Sequence, residues 1–230
     1  MTSVLVTGSS RGIGLEWCRQ YAEAGWRVFA TCRHPQAADA LWALARSHPR
    51  LSVHRLDVTD PESVYALRAD LQDEAIDVLV NNAGVYFEKH APTAAVRYDE
   101  WLQTLAVNTL GPVRVTEALG DLVARSRRRL VVALSSHMGS IADIATPGDT
   151  AYRSSKAALN AAMKGLAAAL GERGIGVLLL HPGWVRTRMG GPDAPLTPAQ
   201  SVAAMRTLVD AFRADMSGRF LRYDGTEIPW

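Results

Sequence analysis

The feature that most constrains this chain is the alternation of short apolar runs with longer helical patterns. The runs are Val4–Thr7, Arg27–Thr31, Leu51–Leu56, Val78–Val80, Leu130–Leu134, Val177–Leu180 and Arg219–Tyr223. They lack strict polar alternation, which is typical of strands buried on both faces. Helical patterns lie near 12–24, 36–47, 61–73, 97–126, 151–171 and 198–214, and Gly111-Pro112 is expected to split the fourth. This rhythm predicts an α/β fold: a doubly wound parallel sheet of about seven strands in three α/β/α layers.

Length and composition indicate one domain over residues 1–230, since no repeat or linker divides the chain. With 25 Lys and Arg against 23 Asp and Glu, the net charge of +2 gives no reason to expect nucleic acid or an anionic membrane as partner. Cys18 and Cys32 build no disulfide framework or metal cluster, and neither a leader nor a membrane span is apparent. We therefore expect a cytoplasmic protein without a metal.

A glycine-rich turn follows the first predicted strand. Glycines there permit a tight turn and a close approach of backbone to a pyrophosphate, and the next helix presents free N–H groups to the anion. The spacing is G-x3-G-x-G, not the commoner G-x-G-x-x-G, so a purely structural turn is the alternative. Its place in a βαβ pattern favours a dinucleotide site and a Rossmann-type sheet. The candidate binding residues are Gly8, Ser10, Arg11, Gly12, Ile13 and Gly14.

The end of the second strand indicates which dinucleotide is bound. An NAD site usually places Asp or Glu there to hold the ribose 2′-hydroxyl. This chain has Arg33 instead, and Arg11 is a second guanidinium nearby. Two guanidiniums suit a 2′-phosphate, so NADP(H) is favoured and NAD(H) is the alternative. Both arginines could also be ordinary surface residues without a role in binding.

A tyrosine and a lysine lie one turn apart on the predicted helix at 151–171. Tyr152 and Lys156 are in an i, i+4 relation, so they project from one face. An ammonium there is expected to lower the phenol pKa toward working pH, as a proton donor to a carbonyl requires. The pair could also simply share a helix face. Ser135-Ser136 ends the preceding strand, where a hydroxyl can donate to an oxyanion. Asn108 is a candidate to hold a relay water, although its position alone favours helix capping.

Seven motifs in order make the chain resemble the short-chain dehydrogenase/reductase family over essentially all 230 residues. They are Thr7-Gly8-x3-Gly12-Ile13-Gly14, Asp57-Val58, Asn81-Asn82-Ala83-Gly84, Asn108, Ser136, Tyr152-x3-Lys156 and Pro182-Gly183. The short segment after Thr187 and the C-terminal sequence are similar to the C-factor-like and sniffer-like carbonyl reductase branch.

The resemblance implies roles that spacing alone does not supply. Ser136 would polarise the substrate carbonyl, Tyr152 would transfer the proton, and Lys156 would lower the tyrosine pKa and hold the nicotinamide ribose. Asn108 would position a relay water. Further cofactor contacts are implied for Asp57, Val58, Asn82, Ala83, Gly84, Pro182, Gly183, Val185 and Thr187.

Two segments bear on the substrate site. The long loop from Ser140 to Asp149 is expected to form one wall of the pocket, and the short stretch after Thr187 to leave the cleft open. His181 is expected to end a buried strand with its ring hydrogen-bonded.

The sequence therefore predicts an NADP-dependent oxidoreductase acting on a small-molecule carbonyl or alcohol. The alternative is a non-catalytic, C-factor-like signalling or scaffold protein that binds NAD(P), because fold does not dictate function. An epimerase or dehydratase is disfavoured by the glycine spacing and the missing substrate domain. By resemblance to the family we expect a homodimer or homotetramer pairing the helices at 97–126 and 151–171.

Overall fold

A computed structural model describes residues 1–87 and 97–230, and within them it has seven strands and seven α-helices. The strands are β1 (Ser3–Val6), β2 (Arg27–Cys32), β3 (Leu51–Arg55), β4 (Val78–Asn81), β5 (Leu130–Leu134), β6 (Gly176–His181) and β7 (Phe220–Arg222). The helices are α1 (Gly12–Glu23), α2 (Asp39–Ser47), α3 (Pro61–Asp70), α4 (Tyr98–Leu105), α5 (Gly111–Ala124), α6 (Thr150–Gly171) and α7 (Pro198–Asp210).

All seven strands pair in parallel in one sheet of order β3-β2-β1-β4-β5-β6-β7. The order reverses direction at β1, so the chain winds outward first to one side and then to the other. This confirms the predicted doubly wound Rossmann-type sheet flanked by helices.

Two apolar clusters cover the two faces of the sheet. Along β5, Val131 and Ala133 point into one cluster, which α3, α5 and α6 complete. Leu130, Val132 and Leu134 point into the other, which α1 and α7 complete. Because successive side chains of a strand alternate between faces, a sheet covered on both sides needs apolar residues at every position. The continuous apolar runs in the sequence have this origin.

The predicted interruption at Gly111-Pro112 takes the form of a wider helical turn. Residues Ala106–Leu110 form a π-helical turn between α4 and α5, and the Gly111 N–H bonds to the Ala106 carbonyl. Leu110 and Gly111 keep helical dihedrals, so the chain stays helical throughout. Pro112 falls in the first turn of α5, where its missing N–H costs little.

Some helix boundaries differ from the predicted ones. Pro35–Ala37 forms a 3₁₀ turn, so the second helix begins only at Asp39. The last helix begins at a capping box between Thr197 and Gln200 and ends at Asp210, four residues before the predicted end.

The carboxyl ends of β1, β2, β4 and β5 lie at one edge of the sheet because the strands are parallel. The segments that follow them carry the glycine turn, Arg33, the 82–84 segment and Ser136. Ligands of open α/β sheets bind at this edge, beside the point where the strand order reverses. The fold therefore gathers the predicted site residues from distant parts of the sequence.

Candidate active site

A cleft of about 900 Å³ opens at this edge of the sheet. Most of the predicted site residues line it: Gly8, Ser10, Arg11, Gly12, Ile13, Gly14, Arg33, Asp57, Val58, Asn82, Ala83, Gly84, Tyr152, Lys156, Pro182 and Thr187. Four predicted residues are not in its wall, namely Asn108, Ser136, Gly183 and Val185.

The glycine turn is shaped by its glycines. Gly8 and Gly12 have φ of +69° and +57°, in the left-handed region that glycine adopts freely. A Cβ on Gly14 would overlap the Gly8 carbonyl oxygen, so only glycine lets the helix start pack against the turn. The first turn of α1 carries no acidic residue. Its N–H groups and positive dipole end are thus available to an anion in the cleft.

The segment after β4 braces the glycine turn. Asn82 donates from Nδ2 to the carbonyl oxygens of Thr7 at 2.8 Å and Gly8 at 3.1 Å. The Thr7 hydroxyl accepts from the N–H groups of Asn82 and Ala83, both at 3.0 Å. Four hydrogen bonds therefore fix the turn to the next strand of the sheet, which preorganises the backbone of the turn.

Three guanidiniums and one carboxylate surround the end of the cleft beside β2. Burial lowers the pKa of Arg11, and the charges of Arg188 and Arg33 lower it further. Burial alone would raise the pKa of the Asp57 carboxyl, but hydrogen bonds from Thr59 and the charge of Arg33 bring it below its ordinary value. The end of β2 therefore presents a positive field with an ionised carboxylate beside it.

Tyr152 and Lys156 project from α6 into the cleft, and both are almost completely buried. The Lys156 Nζ lies 5.8 Å from the centroid of the Tyr152 ring and donates to the Leu134 carbonyl oxygen at 2.8 Å. The hydroxyls of Tyr152 and Ser136 share a hydrogen bond. Ser135 instead donates to Asn160 at 2.6 Å, so Ser136 is the serine that meets the tyrosine.

The pKa values of this pair differ from the predicted direction. Burial raises the pKa of Tyr152 to about 12, and the hydrogen bond from Ser136 only partly offsets it. Burial lowers the pKa of Lys156 to about 8. The expected lowering of the phenol pKa by the lysine is therefore not seen in the free protein. Tyr152 is held protonated, which is the form that gives a proton to a carbonyl oxygen.

Asn108 is a buried clamp and not a helix cap. It lies in the π turn, fully buried, where its Oδ1 accepts from the Val85 N–H at 2.8 Å. Its Nδ2 donates to the Val85 carbonyl at 2.9 Å and to the Ser155 hydroxyl at 3.0 Å. The capping role favoured from position alone is thus wrong. The amide joins the segment after β4 to α6.

The segment after β6 returns to the glycine turn. Pro182 and Thr187 line the cleft, and a Cβ on Gly12 would lie 3.4 Å from Thr187 Cγ2. Gly183 has φ of +82°, and Val185 is buried where it pairs with Leu196. Gly183 and Val185, which were predicted to contact the cofactor, are not in the cleft wall and instead determine the backbone course of this segment.

One expectation about the surroundings of the cleft was wrong. His181 does end β6, but its Nδ1 is buried without a hydrogen-bond partner in residues 1–87 and 97–230, and burial lowers its pKa to about 4. The long loop lines a second cavity of about 450 Å³ together with Arg153 and Ser154. That cavity shares no lining residue with the cleft, and the expectation that the loop forms a wall of the substrate pocket stays a prediction.

Sequence reasoning missed Tyr86 and Arg188, which also line the cleft. Only their position next to predicted site residues could have indicated them. Tyr86 comes two residues after the Asn-Asn-Ala-Gly motif, and Arg188 comes directly after Thr187. Motif matching assigns neither position a role. In the described part of the chain, no three His, Cys, Asp or Glu side chains gather as a metal site. None of the described helices has the length and apolar character needed to cross a bilayer.

Matches to known proteins cover nearly the whole chain. A family model described as short chain dehydrogenase matches residues 2–195. The carbonyl reductase Sniffer of D. melanogaster is 35% identical with a TM-score of 0.92, over 100% of both chains. An NADPH-bound carbonyl reductase from chicken fatty liver is 31% identical with a TM-score of 0.93, over 100% of this chain and 99% of that one. C-signal of Myxococcus xanthus is 44% identical over 155 residues, which are 67% of this chain and 93% of that protein.

Proposed function

The chain belongs to the short-chain dehydrogenase family, and from that membership we propose that it is an NADP(H)-dependent oxidoreductase that reduces a ketone or aldehyde to an alcohol, or catalyses the reverse. One observation carries the proposal. The Tyr152 hydroxyl is hydrogen-bonded to Ser136, beside the buried Lys156, in the same cleft that the glycine turn lines. A proton donor and an anion-binding helix start thus line one cleft, and the Ser136 hydroxyl meets that proton donor.

Charge and shape of the cleft support a phosphorylated dinucleotide. Arg11, Arg33 and Arg188 make no ion pair with any carboxylate in the described ranges, whereas Arg19 and Arg128 do. Unpaired like charges that face one cleft repel each other, and a polyanion relieves the repulsion. NADPH is also the molecule bound in the chicken carbonyl reductase. Arg33 and Arg11 would hold the 2′-phosphate, and the glycine turn the pyrophosphate.

The proton chemistry follows from the three polar side chains. The bound dinucleotide would supply the hydride. Tyr152 gives its hydroxyl proton to the carbonyl oxygen, and Ser136 donates a hydrogen bond to the same oxygen as charge develops there. Lys156, when charged, stabilises the phenolate that remains. Asn108, whose side-chain amide is already bonded, would contribute by holding the segment after β4 in place and by positioning a relay water.

A substrate screen tests the proposal. The protein is incubated with NADPH and a panel of aliphatic and aromatic ketones and aldehydes, and cofactor oxidation is followed by absorbance. We expect turnover of at least one carbonyl with NADPH and tighter binding of NADPH than NADH in calorimetry. Failure to bind either dinucleotide would contradict the proposal, and so would NADPH binding without turnover across the panel.

The second candidate is a signalling or scaffold protein that binds the dinucleotide without catalysis. The 44% identity to C-signal is the observation that favours it. The intact Ser136, Tyr152 and Lys156 favour catalysis instead. Measurable NADPH affinity without turnover in the screen would decide for the second candidate.

The proposed assembly is a homodimer or homotetramer. The outer face of α6 is small and exposed at Ala161, Gly165 and Ala168, which lets a second helix approach closely. Light scattering coupled to gel filtration measures the mass, and we expect a multiple of the 24.9 kDa chain. A mass equal to one chain contradicts the assembly alone and leaves the proposed reaction standing.

A further inference from the structure

The aromatic ring of Tyr86 stacks on the ring of Tyr152. The two centroids are 4.1 Å apart and the planes are 21° from parallel. Tyr86 is half-buried and lines the cleft, while the side chain of Tyr152 is buried. No motif of the sequence assigns Tyr86 a role, yet it contacts the proposed proton donor.

The backbone next to Tyr86 is held by hydrogen bonds. Both backbone groups of Val85 bond to the Asn108 side chain, which also donates to the Ser155 hydroxyl at 3.0 Å. Ser155 in turn donates to the Tyr152 carbonyl at 2.8 Å. This chain of hydrogen bonds ties the segment that carries Tyr86 to the helical turn that carries Tyr152. The buried side chains of Asn108 and Ser155 therefore hold the backbone on both sides of the stack.

The stack and the Ser136 hydrogen bond hold the phenol at its two ends. Ser136 bonds to the hydroxyl, and Tyr86 covers one face of the ring. A swing of the phenol toward that face would collide with the second ring. Aromatic pairs at this separation attract each other beyond the area they bury. Proton transfer needs the hydroxyl within hydrogen-bond reach of the carbonyl oxygen, and small displacements cost much rate.

We propose that Tyr86 is a positioning residue for the reaction, and that its ring keeps the Tyr152 hydroxyl aligned with Ser136. This inference rests on the proposed function for its kinetic consequence, but the ring geometry itself is testable without turnover. The ring of Tyr86 does the positioning, so phenylalanine should replace it and leucine should not.

Kinetics of three variants test the consequence. Tyr86→Leu is expected to lower kcat by about 10- to 100-fold, the range typical of a small misplacement of reacting groups, with the Kd for NADPH within about twofold. Tyr86→Phe keeps the ring and is expected to retain kcat within about twofold. Tyr65→Leu is the matched control, because Tyr65 lies on α3 with 64% of its surface exposed. It should change neither value.

Fluorine NMR tests the geometry without any reaction. The chain has six tyrosines, so protein labelled with fluorotyrosine gives a simple spectrum, and the Tyr152 resonance is identified by its loss in Tyr152→Phe. The stacked ring of Tyr86 should displace this resonance by its ring current. The displacement should disappear in Tyr86→Leu and persist in Tyr86→Phe.

The outcomes separate this inference from the proposed function. Wild-type kcat in Tyr86→Leu, or a Tyr152 resonance that does not move, overturns the inference. An equal loss in Tyr86→Phe and Tyr86→Leu also overturns it, since the hydroxyl and not the ring would then matter. Absence of turnover in the wild-type protein contradicts the proposed function instead, and the fluorine spectra still decide the position of Tyr86.

Discussion

Replacing Arg33 with glutamine should nearly abolish the proposed preference for NADP(H) over NAD(H). Arg33 follows β2 directly, is exposed and has no carboxylate within ion-pair distance in the described ranges, so its charge is available to a ligand. A hydrogen bond between charged groups contributes about 1.5–3 kcal/mol. Exposure favours the lower end, and Arg11 remains as a second guanidinium. We therefore expect the Kd for NADPH to rise about 10- to 30-fold, since about 1.4 kcal/mol is a factor of ten.

Calorimetric titration of both dinucleotides measures this effect. The Kd for NADH should stay within about twofold, because NADH has no 2′-phosphate, and the NADPH effect should shrink as salt is added. Arg127→Gln is the charge-matched control. Arg127 is exposed and precedes β5 at the edge of the sheet opposite the cleft. Equal weakening of NADPH and NADH by Arg33→Gln, or no weakening of either, would refute the assignment of this residue.

Three further predictions address the clamp, the lysine and the fold. Asn108→Ala should lower the free energy of unfolding in urea by about 2–4 kcal/mol, because three buried hydrogen bonds are lost; a loss below about 1 kcal/mol contradicts the clamp. Carbonyl reduction should slow as pH rises through about 8, since Lys156 is charged below that pKa and neutral above it; a flat pH–rate profile there contradicts its role. Thr197→Ala removes a capping box and should cost about 1 kcal/mol of stability with unchanged NADPH affinity; weaker NADPH binding would contradict a purely structural role.

The sheet was predictable because burial on both faces leaves a mark in local sequence. The run Leu130–Leu134 is apolar at every position, and the structure divides its side chains between two clusters. The glycine turn was predictable because close packing against Gly8 allows only glycine at position 14, and that glycine is visible in the sequence.

The remaining features depend on contacts between distant segments. The pKa of Tyr152 was predicted to fall, but burial, which no local pattern reveals, raises it to about 12. The role of Asn108 depends on Val85, 23 positions earlier in the chain. The stack of Tyr86 on Tyr152 depends in turn on that clamp. Nor does sequence show that the long loop lines a cavity separate from the cleft.

The most direct test of the account compares wild-type protein with Tyr152→Phe in the same carbonyl assay, after NADPH binding has been measured for both. The phenylalanine ring keeps the stack with Tyr86, and only the hydroxyl that carries the proton is removed. We expect turnover to be lost by at least about 100-fold, the lower end of the usual contribution of a general acid, with the Kd for NADPH nearly unchanged. Retained turnover in Tyr152→Phe would contradict the claim that this hydroxyl supplies the proton.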